Sequence, residues 1–150
     1  MSINTSNRLL ISEVFQKVSN AKTKAEKVKI LQEYNTQALR SMLIWNYDDS
    51  VVSAIPEGEV PYTPNGAPAG TEHTVLEKEY VKLYYFIKGG KEGLKQFKRE
   101  EMFIQMLEGL HNSEAELLIL VKDKQLQKKY RITKAVVEEA FPQIKWGGRS

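Results

Sequence analysis

The chain has 150 residues, 41% of them hydrophobic, which is about one domain with a core of its own. It contains no cysteine, which excludes a disulfide framework and a thiolate metal site and makes a reducing compartment, the cytosol, the expected setting. The net charge of +3 is unevenly spread: residues 121–150 hold eight bases against three acids, or +5, leaving −2 for the rest, and a basic end of this kind suits nucleic acid, an acidic protein or an anionic surface.

The opening "MSINTSNRLLISEVF" has no basic n-region and no apolar run beyond Leu9 to Ile11. No later segment approaches the roughly 20 apolar residues of a membrane span, so a soluble, unexported chain is expected. After the cap-rich "NTSN", Leu10, Ile11, Val14, Phe15 and Val18 recur at helical spacing and predict an amphipathic first helix. Thr23 with Glu26 three residues later reads as a capping box for a second helix, whose apolar face is Val28 and Leu31. A third helix is predicted from about Thr36 to Trp45, with Leu39, Met42 and Leu43 on one side.

From Pro56 to Gly70, "PEGEVPYTPNGAPAG" holds four of the five prolines and three of the nine glycines, so no regular element is expected there. The flanks are short for separate domains, and the stretch reads as an exposed crossover within one domain. Helix is predicted to resume at Thr74, with Glu77 completing a second capping box and Leu76, Tyr80, Leu83, Tyr84 and Ile87 forming the stripe that ends at Gly89 and Gly90. "KEGLKQF" is a turn or short helix. Met102, Phe103, Met106, Leu107 and Leu110 mark the fifth helix, and Ser113 with Glu116 a third capping box for the sixth, which faces Leu117, Leu118 and Val121 inward. The last helix is expected to start at Thr133, bury Val136, Val137, Ala140 and Phe141, and stop at Pro142. No segment alternates with period two. The predicted fold is therefore all-α, a compact single domain of about six or seven helices, with 56–73 an exposed Pro/Gly-rich loop and 145–150 a flexible basic tail.

Common catalytic signatures are absent. His73 and His111 read as lone surface histidines, with no His/Asp/Glu cluster to hold a metal. "GGKEGLK" lacks the spacing of a P-loop. The acid pairs Asp48/Asp49, Glu100/Glu101 and Glu138/Glu139 are adjacent in sequence, so on a helix they point about 100° apart and read as solvated surface. No cofactor is expected.

Three junctions join bases to a helix start: "NAKTKAE" with Lys22 and Lys24, "KGGKEG" with Lys88 and Lys91, and "KKYRITKA" with Lys128, Lys129, Tyr130, Arg131, Thr133 and Lys134. A helix N-terminus offers free N–H groups and partial positive charge, so each fits phosphate binding; each also fits plain capping with surface lysines. In "YYF" at 84–86, Tyr84 falls on the apolar stripe and reads as core, whereas Tyr85 and Tyr130 are the freer candidates for stacking on bases.

The order of these elements resembles the N-terminal all-helical DNA-binding domain of ATP-dependent DNA ligases, most closely the compact phage version. The resemblance is carried by "ISEVFQKVSNAKTKAEKVKILQEY" and "LRSMLIWNY" in the first half, and by "EMFIQMLEGLHNSEAELLILVKDKQL", a basic loop and "ITKAVVEEAFPQI" in the second. It implies a domain that grips the minor groove of duplex DNA around a nick, mainly through phosphates. The implied contacts are Lys22 and Lys24, then Asn112 and Ser113, then the segment from Lys128 to Lys134. Where the ligases usually place a glycine in that last loop, this chain has Tyr130 and Arg131.

None of the three aspartates is followed by glycine, so the K-x-D-G motif of ligase adenylation is missing and a non-enzymatic protein is expected. Its partner is expected to be double-stranded DNA, with nicked sites as candidates, in phage replication, repair or packaging within the host cytoplasm. With about five phosphates contacted, the slope of log affinity against log salt would be near −4.5. The competing expectation is a helical adaptor, inhibitor or virion component that docks on a replication, host or virion protein.

Overall fold

The computed structural model describes residues 9–66 and 74–149. Seven α-helices follow one another there: α1 (Ile11–Asn20), α2 (Lys24–Glu33), α3 (Gln37–Tyr47), α4 (Leu76–Glu79), α5 (Gln96–Gly109), α6 (Asn112–Lys122) and α7 (Lys134–Ala140). Two 3-10 helices, Tyr80–Phe86 and Leu126–Lys128, lie between them. Among the described residues the sole extended pairing is an antiparallel bridge between Ser53 and Ile87.

The protein is all-α. Ala115, Leu117, Leu118 and Val121 of α6 are fully buried, because that helix packs against α1, α3 and α5; a helix apolar around most of its circumference belongs at the centre of a bundle. The α2 helix sits between α1 and α7, burying Val28 and Leu31 inside and Val136, Val137 and Ala140 from the other side.

The helix starts are more varied than the sequence motifs suggest. At α2 the Thr23 hydroxyl oxygen accepts the Glu26 amide at 3.1 Å, but the Glu26 carboxylate takes the Thr23 hydroxyl at 3.0 Å in place of the backbone amide. The other two expected boxes do not form. Thr74 donates to Glu79, and Glu77 accepts from Thr36, which ties α4 to the start of α3. His111, expected to be a lone surface residue, caps α6: its Nδ1 accepts the Ser113 amide at 3.1 Å. Glu114 is fully buried and accepts the Ile11 amide through Oε2 and the Leu76 amide through Oε1, each at 3.0 Å. One carboxylate therefore serves the free N–H groups at the starts of α1 and α4.

The fourth helix departs most from expectation. After four α-helical residues the chain tightens into the 3-10 helix, where residues three apart share a face. Leu83 and Phe86 then turn inward while Tyr84 is 43% exposed, so the reading of Tyr84 as core is corrected by the change of period. The tightening coincides with tertiary pairing: Phe86 O accepts from Ala54 N at 2.7 Å, and Lys88 N donates to Val52 O at 2.8 Å, which draws 86–88 out of the helix. Gly90 closes this corner, since a Cβ there would stand 1.9 Å from the Tyr84 carbonyl oxygen.

Residues 56–66 of the Pro/Gly-rich segment form no helix or strand; its remainder, with His73, lies outside the described residues, as does "NTSN". The segment is anchored by Lys122, whose buried ammonium donates to Pro56 O, Gly58 O and the Asp123 carboxylate. In the basic tail expected to be flexible, Gly147 and Arg149 are hydrogen-bonded to the end of α3 and the turn after it. Asp48, at the C-terminal end of α3, accepts from Gly147 N at 2.9 Å and from the Arg149 guanidinium at 2.6 Å, and Arg149 N donates to Ser50. Asp48 is accordingly only 2% exposed, which corrects its reading as solvated surface.

Candidate functional site

Two of the three basic junctions meet in space. The turn between α1 and α2 and the loop between the second 3-10 helix and α7 face each other across an open groove of about 1190 Å³. Its walls are Ser19, Asn20, Ala21, Lys22, Lys24 and Lys27 on one side, and Gln127, Arg131, Ile132, Thr133 and Val136 on the other. Four of these residues are basic, none is acidic and none is aromatic.

Local sequence explains the placement. Ala21 breaks α1 with an extended backbone, and the Thr23 cap begins α2, so Lys22 stands exposed on the turn. Across the groove, Tyr130 is buried edge-on against Phe15 with ring centres 6.0 Å apart. Burying that ring turns the next residue outward and exposes Arg131. Ile132 is again buried, and Thr133 caps α7 by accepting the Val136 amide. The alternation of Tyr130, Arg131 and Ile132 is what aims the arginine.

The loop is held from three directions. Arg131 N donates to the Ser19 hydroxyl at 2.9 Å, Arg131 O accepts from Lys27 Nζ at 2.7 Å, and the Tyr47 hydroxyl donates to Ile132 O. Lys27 also donates to Val18 O at 3.1 Å and to Ser19 O at 3.5 Å, near the carbonyl end of α1. Burial, and then the nearby Arg131 charge, lowers the Lys27 pKa. Burial pushes the phenols of Tyr47 and Tyr130 up to about 12, with Glu116 and Glu114 adding to the effect at Tyr130.

The remaining bases differ in freedom. Among the described residues, Lys22, Lys128 and Arg131 form no ion pair. Lys24 pairs with Glu139 at 3.3 Å, but both side chains are more than half exposed, and such a pair contributes about 0.2–1 kcal/mol, so a phosphate can displace it. Lys129 pairs with Glu116 and lies over the Tyr130 ring, and Lys134 lies over the Trp146 ring, 4.8 Å from its centre.

Several sequence candidates fall elsewhere. Tyr130 is 2% exposed and cannot stack on a base. Asn112 and Ser113 stand at the start of α6, where the Ser113 hydroxyl meets those of Ser12 and the His111 ring. Ser12 is eight residues from Asn20, so this point lies about 12 Å along α1 from the groove. Lys88 lines a separate hollow with Glu57 and Asp123, and the Lys91 carbonyl is taken by Arg99. Lys128 is exposed beside the groove without lining it. Sequence reading passed over Lys27 and Ser19; the signal for Lys27 is helical register, which puts it one turn after the Thr23 cap of α2, whereas Ser19 stands in the last turn of α1 and has no such signal.

A family of unknown function (DUF6433) has a model that matches residues 14–128, and the chain belongs to that family. No curated protein and no solved structure matches it. The matched span contains the whole α1–α2 wall of the groove and stops just before Arg131. Among the described residues, no three His, Cys, Asp or Glu side chains form a metal-binding group, and no helix is long and apolar enough to cross a membrane.

Proposed function

We propose that the chain is a non-enzymatic protein that binds duplex DNA with little regard to sequence, seating backbone phosphates in the groove between the α1–α2 turn and the Arg131 loop. The observation that carries this reading is the convergence of Lys22, Lys24 and Arg131 on a concave surface without an acid. The free N–H groups at the start of α2 add partial positive charge to the same wall. The lack of aromatic residues there favours phosphate contact over base stacking. The resemblance to a ligase grip supports a duplex as the target, with Arg131 taking by its side chain the phosphate that the ligases meet with a glycine backbone.

Three bases facing the groove correspond to about three phosphates and a slope of log affinity against log salt near −2.7, at roughly 0.9 per phosphate. Fluorescence anisotropy with intact and nicked duplexes tests the proposal. Binding to both at low salt, weakening steeply with added salt, is expected; no binding at low salt contradicts it.

A second reading rests on individually exposed apolar side chains away from the groove. Phe97 at the start of α5 is 79% exposed, and Val81 and Tyr84 are 56% and 43% exposed, which suits docking on a protein. A pull-down that recovers one partner after nuclease treatment, and loses it with Phe97→Ser, would favour that reading.

A further inference from the structure

Lys27 lines the groove, yet its ammonium points away from the role its charge suggests. We infer that Lys27 and Ser19 are positioning residues that hold the Arg131 guanidinium ready for a phosphate, and that Lys27 is not itself a phosphate ligand. The inference rests on the DNA-binding reading of the groove and assigns two residues a part in it.

Both backbone polar groups of Arg131 are held by side chains from the opposite wall: the amide by Ser19 Oγ at 2.9 Å and the carbonyl by Lys27 Nζ at 2.7 Å. Lys27 Nζ has three donors, and three carbonyl oxygens lie within reach, those of Val18, Ser19 and Arg131. Turning toward a phosphate would break these bonds and release the loop. Arg131 differs, since its backbone is fixed while its guanidinium forms no hydrogen bond or ion pair among the described residues. A ligand group held in place before binding loses less freedom on binding, which raises affinity without adding a contact. The clamp also joins the α1–α2 turn to the α7 loop, so the two walls move as one unit.

The prediction separates a positioning role from direct contact. Counterion release counts the charges that neutralise phosphates. Lys27→Met should therefore weaken duplex binding about fivefold, the effect of roughly one hydrogen bond, and leave the salt slope unchanged, whereas Lys22→Ala should lower its magnitude by about 0.9. Ser19→Ala removes the other half of the clamp without touching any charge and should weaken binding with the same unchanged slope. Hydrogen exchange of residues 128–133 in the free protein supplies a readout that needs no DNA, and both clamp variants should exchange faster there. A slope reduced by about 0.9 in Lys27→Met makes Lys27 a direct ligand and overturns the inference. So does duplex binding combined with unchanged exchange in both variants. Failure of the wild-type chain to bind duplex at low salt instead overturns the DNA reading, and the positioning role with it.

Discussion

Asp48 accepts from Ser50 N, Ser50 Oγ, Gly147 N and Arg149. Burial alone would raise its pKa, but these hydrogen bonds outweigh it and lower the value to about 2. An unfolded aspartate titrates near 3.9, so the folded state gains stability that is fully present above about pH 4 and lost as pH falls toward 2. The difference corresponds to about 2.6 kcal/mol. Urea titrations should find Asp48→Asn less stable by about that amount at pH 7, and the two curves should converge near pH 2. An unchanged gap at low pH would contradict this account. Ser50 is the local partner that "YDDS" offers Asp48, but the partners that bury its other oxygen lie about 100 residues away at Gly147 and Arg149 and leave no local signal. The buried Tyr130 was hidden in the same way: four neighbouring bases made its surroundings look solvated, and only Phe15 across the core reveals where the ring goes.

At the scale of elements, local patterning was enough wherever a helix has its own period and cap. Thr133 with Val136, Val137 and Ala140 gave α7 correctly, and Thr23 with Val28 and Leu31 gave α2. It failed at 80–86, where the residues fit period 3.6 and period 3 almost equally well, and the pairing of 86–88 with the chain near Ser53 decides between them. Gly90 is the residue that permits the corner. Gly90→Ala should cost roughly 1–3 kcal/mol, as overpacking does, because the new Cβ would collide with the Tyr84 carbonyl and backbone must shift to relieve it. A urea midpoint equal to wild type would show that the corner is looser than described. Glu114 gives a second test. Glu114→Ala leaves the Ile11 and Leu76 amides without this acceptor in a buried setting, and a loss of about 3 kcal/mol is expected from urea titration.

For the whole molecule, position of charge says more than net charge. The +3 total is modest, and the +5 of the last thirty residues does not act as one patch. Lys122 and Lys124 point inward to hold the 56–58 backbone and the end of α3, and Arg149 serves Asp48. Of the bases that remain at the surface, Arg131 meets Lys22 and Lys24 from the other end of the chain in the groove. The sequence therefore showed the ingredients of the groove but not their meeting, because the contact between α2 and α7 is a long-range one. It also offered Lys88, Lys91, Asn112 and Ser113, which share the local motif of a helix start and stand away from the groove.

The most direct test of the groove compares two double charge reversals by the salt dependence of duplex binding. Lys22→Glu with Arg131→Glu should abolish measurable binding, while Lys88→Glu with Lys91→Glu, equal in charge change, should keep the wild-type slope of about −2.7. Equal losses in the two variants would mean that overall charge, and not this groove, attracts DNA, and would contradict the account.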